Sequence, residues 1–141
     1  MKKKQTAIFP LPKSVGKRPW GEEILLSLIP KKISLKILKI KKGMKGGIQY
    51  HHKKDECGYV LSGKLKVRYD NGNGKLKEKI ISKGSSFYFP QGSIHQEIAL
   101  TDCKIIEAST PYFNDRVRVD ENYGYEISGL PSTKKKDVLL K

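Results

Sequence analysis

Hydrophobic and polar positions alternate over many short runs of this chain. In "KLKVRYD" the alternation is regular, and it places Leu65, Val67 and Tyr69 on one face of a strand. Similar short runs are ILLSLI, ISLKILKIK, CGYVLSG, LKEKIIS, SSFYFP, HQEIAL and CKIIEAS. No long segment keeps the period of a helix, so the pattern predicts an all-β sandwich or barrel.

Turn signals separate these runs. "NGNG" at residues 71–74 predicts a hairpin, because asparagine and glycine accept the positive φ angles of tight turns. Within "ISLKILKIK" the apolar set changes from Ile33, Leu35 and Ile37 to Leu38 and Ile40, which predicts a bulge. A short helix or turn is expected near residues 114–124, and "DVLLK" at the end of the chain is expected to form one helical turn.

Length and local composition predict one domain with two peripheral segments. The 141 residues divide into a basic N-terminal arm at 1–16 with an apolar "IFPLP", a barrel at 17–127, and a flexible lysine-rich tail at 128–141. No run reaches the ~18 apolar residues of a membrane span, and the N-terminus lacks a signal-peptide core. We therefore expect a cytoplasmic protein that does not enter a membrane.

The charge balance changes the expected partners. Lysine and arginine number 29 against 14 acidic residues, a net charge of +15 that attracts anions. The lysines are dispersed and no nucleic-acid-binding motif accompanies them, so nucleic acid is not expected and an anionic small molecule is. Dispersed lysines on solvent-facing positions are the ordinary alternative. Cys57 and Cys103 are expected to be free, buried thiols.

One short stretch, "GGIQYHHKKDE", carries candidate metal-binding chemistry. Gln49 and His51 are two apart, so in a strand they share a face, while Glu56 returns on the next strand after a turn. His95 begins a later strand after "PQGS". An amide oxygen, two imidazoles and a carboxylate that converge in this way predict a site for one divalent ion, either Zn, Mn, Ni, Co or Fe.

Two glycine-framed blocks with these spacings resemble the cupin superfamily, whose fold is a jelly-roll barrel or double-stranded β-helix. The usual motifs are G-x5-H-x-H-x4-E-x6-G and G-x5-P-x-G-x2-H-x3-N. Here Gln49 stands where the first histidine belongs, and Ala99 stands where the final asparagine belongs. The resemblance implies a single cupin barrel with Gln49, His51, Glu56 and His95 as metal ligands.

Three further features resemble the C-terminal cupin domain of type II mannose-6-phosphate isomerases. These are a glutamine followed by paired histidines, "RPWG" at 18–21, and "NDRVRVDENYG" at 114–124. The family's arginine after the histidines is Lys54 here, its tryptophan is Gly58, which is expected to open space beside the site, and its final arginine is Tyr125. Its exit arginine is retained as Arg118.

The resemblance implies an isomerase acting on a phosphorylated or nucleotide-linked sugar. Lys54 and Arg118 are expected on a basic rim that holds the phosphate, and Lys54 and Glu107 are candidates for the proton-shuttling base. His52 is expected to face away from the metal. Tyr50, Tyr59 and Cys57 are expected to pack, and Trp20 to pack against the first barrel strand.

Other functions stay open at this stage. A non-catalytic metal- or sugar-binding cupin is one. An iron dioxygenase is disfavoured by Gln49, and a sugar epimerase is disfavoured because no His–Asp dyad is evident in the sequence. Cupins commonly dimerise through edge strands, so the apolar arm at 7–12 predicts a homodimer.

Overall fold

The computed structural model describes residues 4–112 and 115–119. These residues contain two antiparallel sheets, with strand order β1-β2-β3-β10-β5-β8 in the first sheet and β11-β4-β9-β6-β7 in the second. The strands are β1 Lys13–Arg18, β2 Gly21–Ile29, β3 Ile33–Ile40, β4 Gln49–His51, β5 Glu56–Ser62, β6 Lys64–Asp70, β7 Leu76–Ser82, β8 Ser86–Phe89, β9 His95–Ala99, β10 Cys103–Ser109 and β11 Arg116–Arg118. The prediction of an all-β jelly-roll is confirmed.

The predicted hairpin joins β6 to β7. The two strands pair in unbroken register from Lys64 opposite Ser82 to Asp70 opposite Leu76. Gly72 and Gly74 adopt φ angles of 99° and 80°, a region that favours glycine. Their amides donate to Asp70 Oδ1 at 2.7 and 3.2 Å, so the aspartate closes the turn that the sequence predicted.

The predicted bulge in β3 is wrong. β3 pairs with β10 without interruption, and the inward-facing residues are Ser34, Lys36, Leu38 and Ile40. The register break lies in the neighbouring strand β2, between Leu25 and Ser27. The sequence misled because apolar residues occupy the outer face of this strand, while a serine and a lysine occupy part of its inner face.

A predicted helix or turn near the C-terminus is also corrected in part. Arg116–Arg118 is a strand that pairs with β4. The rest of the predicted segment at 113–114 and 120–124 lies outside the described residues, as do the tail at 128–141 and the helical turn expected at "DVLLK".

The hydrophobic core lies between the two sheets. It comprises Leu38, Ile40, Val60, Leu65, Val67, Ile81, Phe89, Ala99, Cys103 and Ile105. Trp20, which was expected to pack against the first barrel strand, packs against this cluster. Both cysteines are free, but only Cys103 is buried; Cys57 is exposed because its neighbour Glu56 takes the inward position on β5.

The N-terminal segment contributes one strand and one exposed stretch. β1 begins at Lys13, inside the segment that the sequence analysis assigned to the arm, and pairs with β2 at the sheet edge. Before it, the side chains of Ile8, Phe9 and Leu11 are 71, 87 and 87% exposed. Among the residues with described structure there is no helix long and apolar enough to cross a membrane.

Candidate metal centre

One end of the barrel interior is polar, although the strands that form it are apolar at the other end. On β5 the inward residues run from Glu56 through Gly58 to Val60, and on β9 they run from His95 through Glu97 to Ala99. Antiparallel pairing aligns these polar ends, so charged side chains from both sheets face one interior space. The candidate site lies there.

Three of the predicted ligands converge in this space. Glu56 Oε1 lies 3.6 Å from His51 Nε2 and 3.1 Å from His95 Nε2. One ligand atom from each residue lies within 4.8 Å of the other two, and all three residues are buried. The sequence prediction that His51, Glu56 and His95 meet therefore agrees with their positions.

Strand pairing places Gln49 beside His95 on the same face of the second sheet. It lies directly opposite His95 across β4 and β9, and side chains opposite each other in an antiparallel pair share a face. Gln49 also shares the face of His51, because the two residues are two apart in β4. His52, by contrast, is exposed and its ring meets that of Tyr50 edge-on, in agreement with an outward orientation.

Both histidines are held with Nε2 directed at the carboxylate. His51 Nδ1 donates to Asp115 Oδ1 at 3.0 Å, and His95 Nδ1 donates to the carbonyl oxygen of Ser93 at 3.1 Å. The Phe89 ring stacks on the His95 imidazole with centroids 3.9 Å apart. Each contact fixes a ring orientation and leaves Nε2 available as a ligand atom.

Asp115 is a site residue that the sequence analysis missed. It is buried, and besides His51 it accepts hydrogen bonds from the amides of Lys53 and Lys54, each at 2.8 Å. Burial alone would raise the pKa of Asp115, but the hydrogen bonds with His51, Lys53 and Lys54 outweigh it and lower the pKa. The available signal was its place in "NDRVRVDENYG", immediately before the strand that pairs with β4.

Lys54 lies inside the barrel, which corrects its expected place on the rim. Its Nζ is 2.9 Å from Glu56 Oε2 and 3.2 Å from Glu107 Oε1, and its side chain is 9% exposed. Although burial disfavours an ammonium, the charges of Glu107 and Glu56 raise the pKa of Lys54 above its ordinary value. Lys54 is therefore a cation bound by two carboxylates, and a role as free base does not fit this position.

Three carboxyl groups share this interior. Burial disfavours the charged form of Glu56, yet Lys54 and His95 beside it lower its pKa well below the ordinary value, so Glu56 is ionised. Burial raises the pKa of Glu107, with Lys54 opposing the rise and Glu56 adding to it. Burial also raises the pKa of Glu97 to about 8, helped by the charges of Glu107 and Glu56. Sequence reasoning missed Glu97, although its spacing of two from His95 placed it on the same face.

Two residues expected to shape the opening differ in outcome. Arg118 lies opposite Gln49, is exposed, and packs its guanidinium against Gly47, which is a position at the edge of the site. Gly58 does not open space beside the site as expected. A Cβ at that position would meet the ring of Phe87, so Phe87 fills the space above the glycine.

The residues present fit a divalent metal ion. Two imidazole nitrogens and a carboxylate oxygen face one point, the outer nitrogens of both histidines are hydrogen-bonded, and an amide side chain stands opposite His95. This nitrogen and oxygen donor set suits zinc, manganese, iron and similar ions.

Comparison with known proteins identifies the family. Residues 36–108 match the model of the cupin domain, a range that contains β4, β5, β9 and all four predicted ligands. The chain belongs to the cupin superfamily. A search of curated protein sequences found no match.

Several solved cupin structures share the fold. KdgF from Halomonas sp. superposes with a TM-score of 0.62 at 22% identity, over 72% of this chain and 87% of KdgF. The capsular polysaccharide assembling protein CapF from Staphylococcus aureus gives 0.63 at 23% identity, over 79% of this chain and 32% of CapF. Oxalate decarboxylase from Bacillus subtilis gives 0.66 at 16% identity, over 82% of this cupin and 33% of the decarboxylase. This cupin therefore spans about a third of the latter two, and identities this low show the fold alone.

Proposed function

We propose that this cupin binds one divalent metal ion through His51, Glu56 and His95, with Gln49 as a fourth ligand, and isomerises a phosphorylated or nucleotide-linked sugar. The observation that carries the proposal is the convergence of Nε2 of both histidines on Glu56 Oε1, beside the Lys54–Glu107 ion pair. A Lewis-acid position next to a carboxylate and an ammonium suits aldose–ketose isomerisation, in which a base moves a proton and a cation stabilises the developing oxyanion.

Sequence resemblance and neighbours support the sugar as substrate class. The blocks "RPWG", "IQYHHKKDE" and "NDRVRVDENYG" resemble mannose-6-phosphate isomerases of type II. CapF is a capsular polysaccharide assembling protein, and the B. subtilis oxalate decarboxylase has Mn(II) centres. A metal-dependent reaction on a sugar is the function that joins these features.

The residues of the site have different proposed roles in the reaction. A bound divalent ion would polarise the sugar carbonyl. Glu107 is the proposed base, because it projects into the interior and its carboxyl group is held 3.2 Å from Lys54 Nζ. Lys54 stays an ammonium and stabilises negative charge that develops on the substrate oxygens. Arg118 at the opening contacts the phosphate, and the net charge of +15 favours capture of an anionic sugar.

Turnover of sugar phosphates tests this proposal. The protein loaded in turn with Mn, Zn, Ni, Co and Fe is incubated with mannose 6-phosphate, fructose 6-phosphate, mannose and a nucleotide-linked mannose, and products are followed by NMR. We expect conversion of a phosphorylated sugar, loss of conversion in Glu107→Gln, and a raised KM with little change in kcat in Arg118→Gln. Binding without turnover would instead identify a non-catalytic sugar-binding cupin.

One contact favours a second candidate function, a metal-independent sugar epimerase. The sequence analysis disfavoured it because no His–Asp dyad was evident, yet His51 Nδ1 and Asp115 Oδ1 form such a pair at 3.0 Å. A histidine oriented by a buried aspartate can act as a base at Nε2. In this case activity would survive EDTA, and deuterium from D2O would enter the sugar without conversion of aldose to ketose.

We also propose that the protein is a homodimer. Ile8, Phe9 and Leu11 are exposed, and the outer face of the first sheet carries three exposed apolar side chains, Ile33, Tyr59 and Tyr88. Burying the arm of one protomer on such a face of the other would remove both from water. Light scattering should give a dimer for the full chain and a monomer for a chain lacking residues 1–12. Phe9→Ser with Leu11→Ser, which leaves the length unchanged, should have the same effect.

A further inference from the structure

The carboxylate of Glu56 is shared between two positions that suit a cation. Its Oε1 faces His51 and His95, where the proposed metal ion binds, and its Oε2 contacts Lys54 Nζ at 2.9 Å. Lys54 Nζ also contacts Glu107 Oε1 at 3.2 Å. The ammonium therefore occupies a carboxylate-lined position next to the metal position, with Glu56 common to both.

The surroundings of this ammonium resemble those of a bound ion. Lys54, Glu56 and Glu107 are all buried, with side chains 9, 5 and 7% exposed. Glu97 approaches from the opposite sheet, near enough to interact electrostatically with Lys54 and with both other carboxyl groups. Carboxylate oxygens are the ligands that hard divalent cations prefer, and a carboxylate shared by two ions is usual in paired metal sites.

A second buried lysine of the barrel interior offers a contrast. Lys36 also faces inward, on β3, and its Nζ forms an ion pair of 2.6 Å with Glu23. Neither Lys36 nor Glu23 belongs to the predicted ligand set. Lys36 lies opposite Glu107 across β3 and β10, but its Nζ pairs with Glu23, so Lys36 is the control for a buried ammonium bound to a carboxylate outside the predicted ligand set.

We propose that Lys54 is a tethered cation that fills a second cation site formed by Glu56 and Glu107, and so restricts the barrel to one divalent ion. The proposal rests on the metal site under "Proposed function". It gives Lys54 a role in metal stoichiometry that is separate from any contact with substrate.

Manganese stoichiometry tests the proposal. Wild type, Lys54→Ala and Lys36→Ala are equilibrated with Mn(II), and bound metal per chain is measured by equilibrium dialysis with elemental analysis. We expect one ion in wild type, two in Lys54→Ala and one in Lys36→Ala. The double variant Lys54→Ala/Glu107→Gln should return to one ion. The two ions in Lys54→Ala should give a spin-coupled EPR signal, because they share Glu56.

The outcomes separate this proposal from the function on which it rests. Wild type that binds no metal overturns the proposed metal site, and this inference fails with it. One ion in wild type and one in folded Lys54→Ala overturns the second cation site alone. If Lys54→Ala does not fold, the experiment uses Lys54→Met, whose longer side chain fills more of the space that lysine occupied. Removing one positive charge beside the site should then tighten binding of the first ion about tenfold or more, and unchanged affinity overturns the inference.

Discussion

The two ends of the barrel interior are built from the same strands and yet carry opposite chemistry. At one end Val60, Leu65 and Ile105 are fully buried and lie among apolar neighbours. At the other end the continuations of these strands or their neighbours carry Glu56, Glu107 and His95. Four positions along β5 separate Val60 from Glu56, and two positions along β10 separate Ile105 from Glu107.

The difference shows how a small barrel can hold charge in its interior. The apolar end excludes water and gains the free energy of burial. The polar end keeps its charges through close partners: Lys54 with Glu56 and Glu107, His51 with Asp115, and Lys36 with Glu23. Buried ion pairs contribute little net stability because desolvation offsets their attraction. We therefore expect changes at the two ends to affect different measured quantities.

Truncation at the apolar end should have the largest effect on stability. Leu65 has no exposed surface, and Leu65→Ala removes packed atoms and leaves a cavity. We expect the free energy of unfolding to fall by about 2–5 kcal/mol, measured by urea denaturation of metal-free protein. The metal affinity of the folded variant should not change. A loss of metal binding at temperatures where Leu65→Ala stays folded would show that the two ends are coupled.

Removal of the negative charge of Glu56 should lower metal affinity. Glu56→Gln keeps the shape of the side chain but removes the anionic oxygens that face His51 and His95. Loss of a residue that hydrogen-bonds to a metal ligand typically lowers metal affinity roughly 10–100-fold. We expect loss of the ligand charge itself to lower metal affinity by more than this, measured by competition with a chromophoric chelator. Unchanged metal affinity would exclude Glu56 as a ligand.

A pair of Asp→Asn changes sharpens the comparison. Asp115→Asn disturbs the hydrogen bond to His51 Nδ1, and we expect metal affinity to fall roughly 10–100-fold. Asp102 is the control, because its Oδ1 accepts from the Lys42 amide in a loop at the apolar end. Asp102→Asn should leave metal affinity unchanged. Equal losses in the two variants would point to a general loss of stability in place of a role for Asp115 in orienting His51.

One added methyl group at the boundary between the polar and apolar ends of the barrel should lower the free energy of unfolding. Gly58 lies between Glu56 and Val60, and a Cβ there would meet the Phe87 ring. We expect Gly58→Ala to lower the free energy of unfolding by about 1–3 kcal/mol. Gly46→Ala is the control, since a Cβ at Gly46 has no atom within 4 Å, and it should change stability by no more than about 0.5 kcal/mol. If Gly58→Ala is neutral, Phe87 moves freely and the site has room beside it.

Much of the fold was readable from local pattern. The alternation of Leu65, Val67 and Tyr69 and the glycines at 72 and 74 define β6 and its hairpin, because strand period and turn geometry depend on neighbouring residues alone. The spacing of His51, Glu56 and His95 identified the cluster, because the cupin motifs fix where these residues lie at the ends of their strands. Asp115 was missed because its place in "NDRVRVDENYG" does not by itself indicate a contact with a residue 64 positions earlier.

Alternation along a strand tells which residues share a face, but it does not tell which face is buried. In β3 the apolar Ile33, Leu35 and Ile37 face outward, while Ser34 and Lys36 face inward. The sequence by itself determined the all-β class, the hairpin and the residue types of the candidate metal centre, since these depend on short-range spacing. Only the tertiary structure decided that Lys54 sits between Glu56 and Glu107 and that Phe87 covers Gly58, because both depend on β5 pairing with β10 on one side and with β8 on the other.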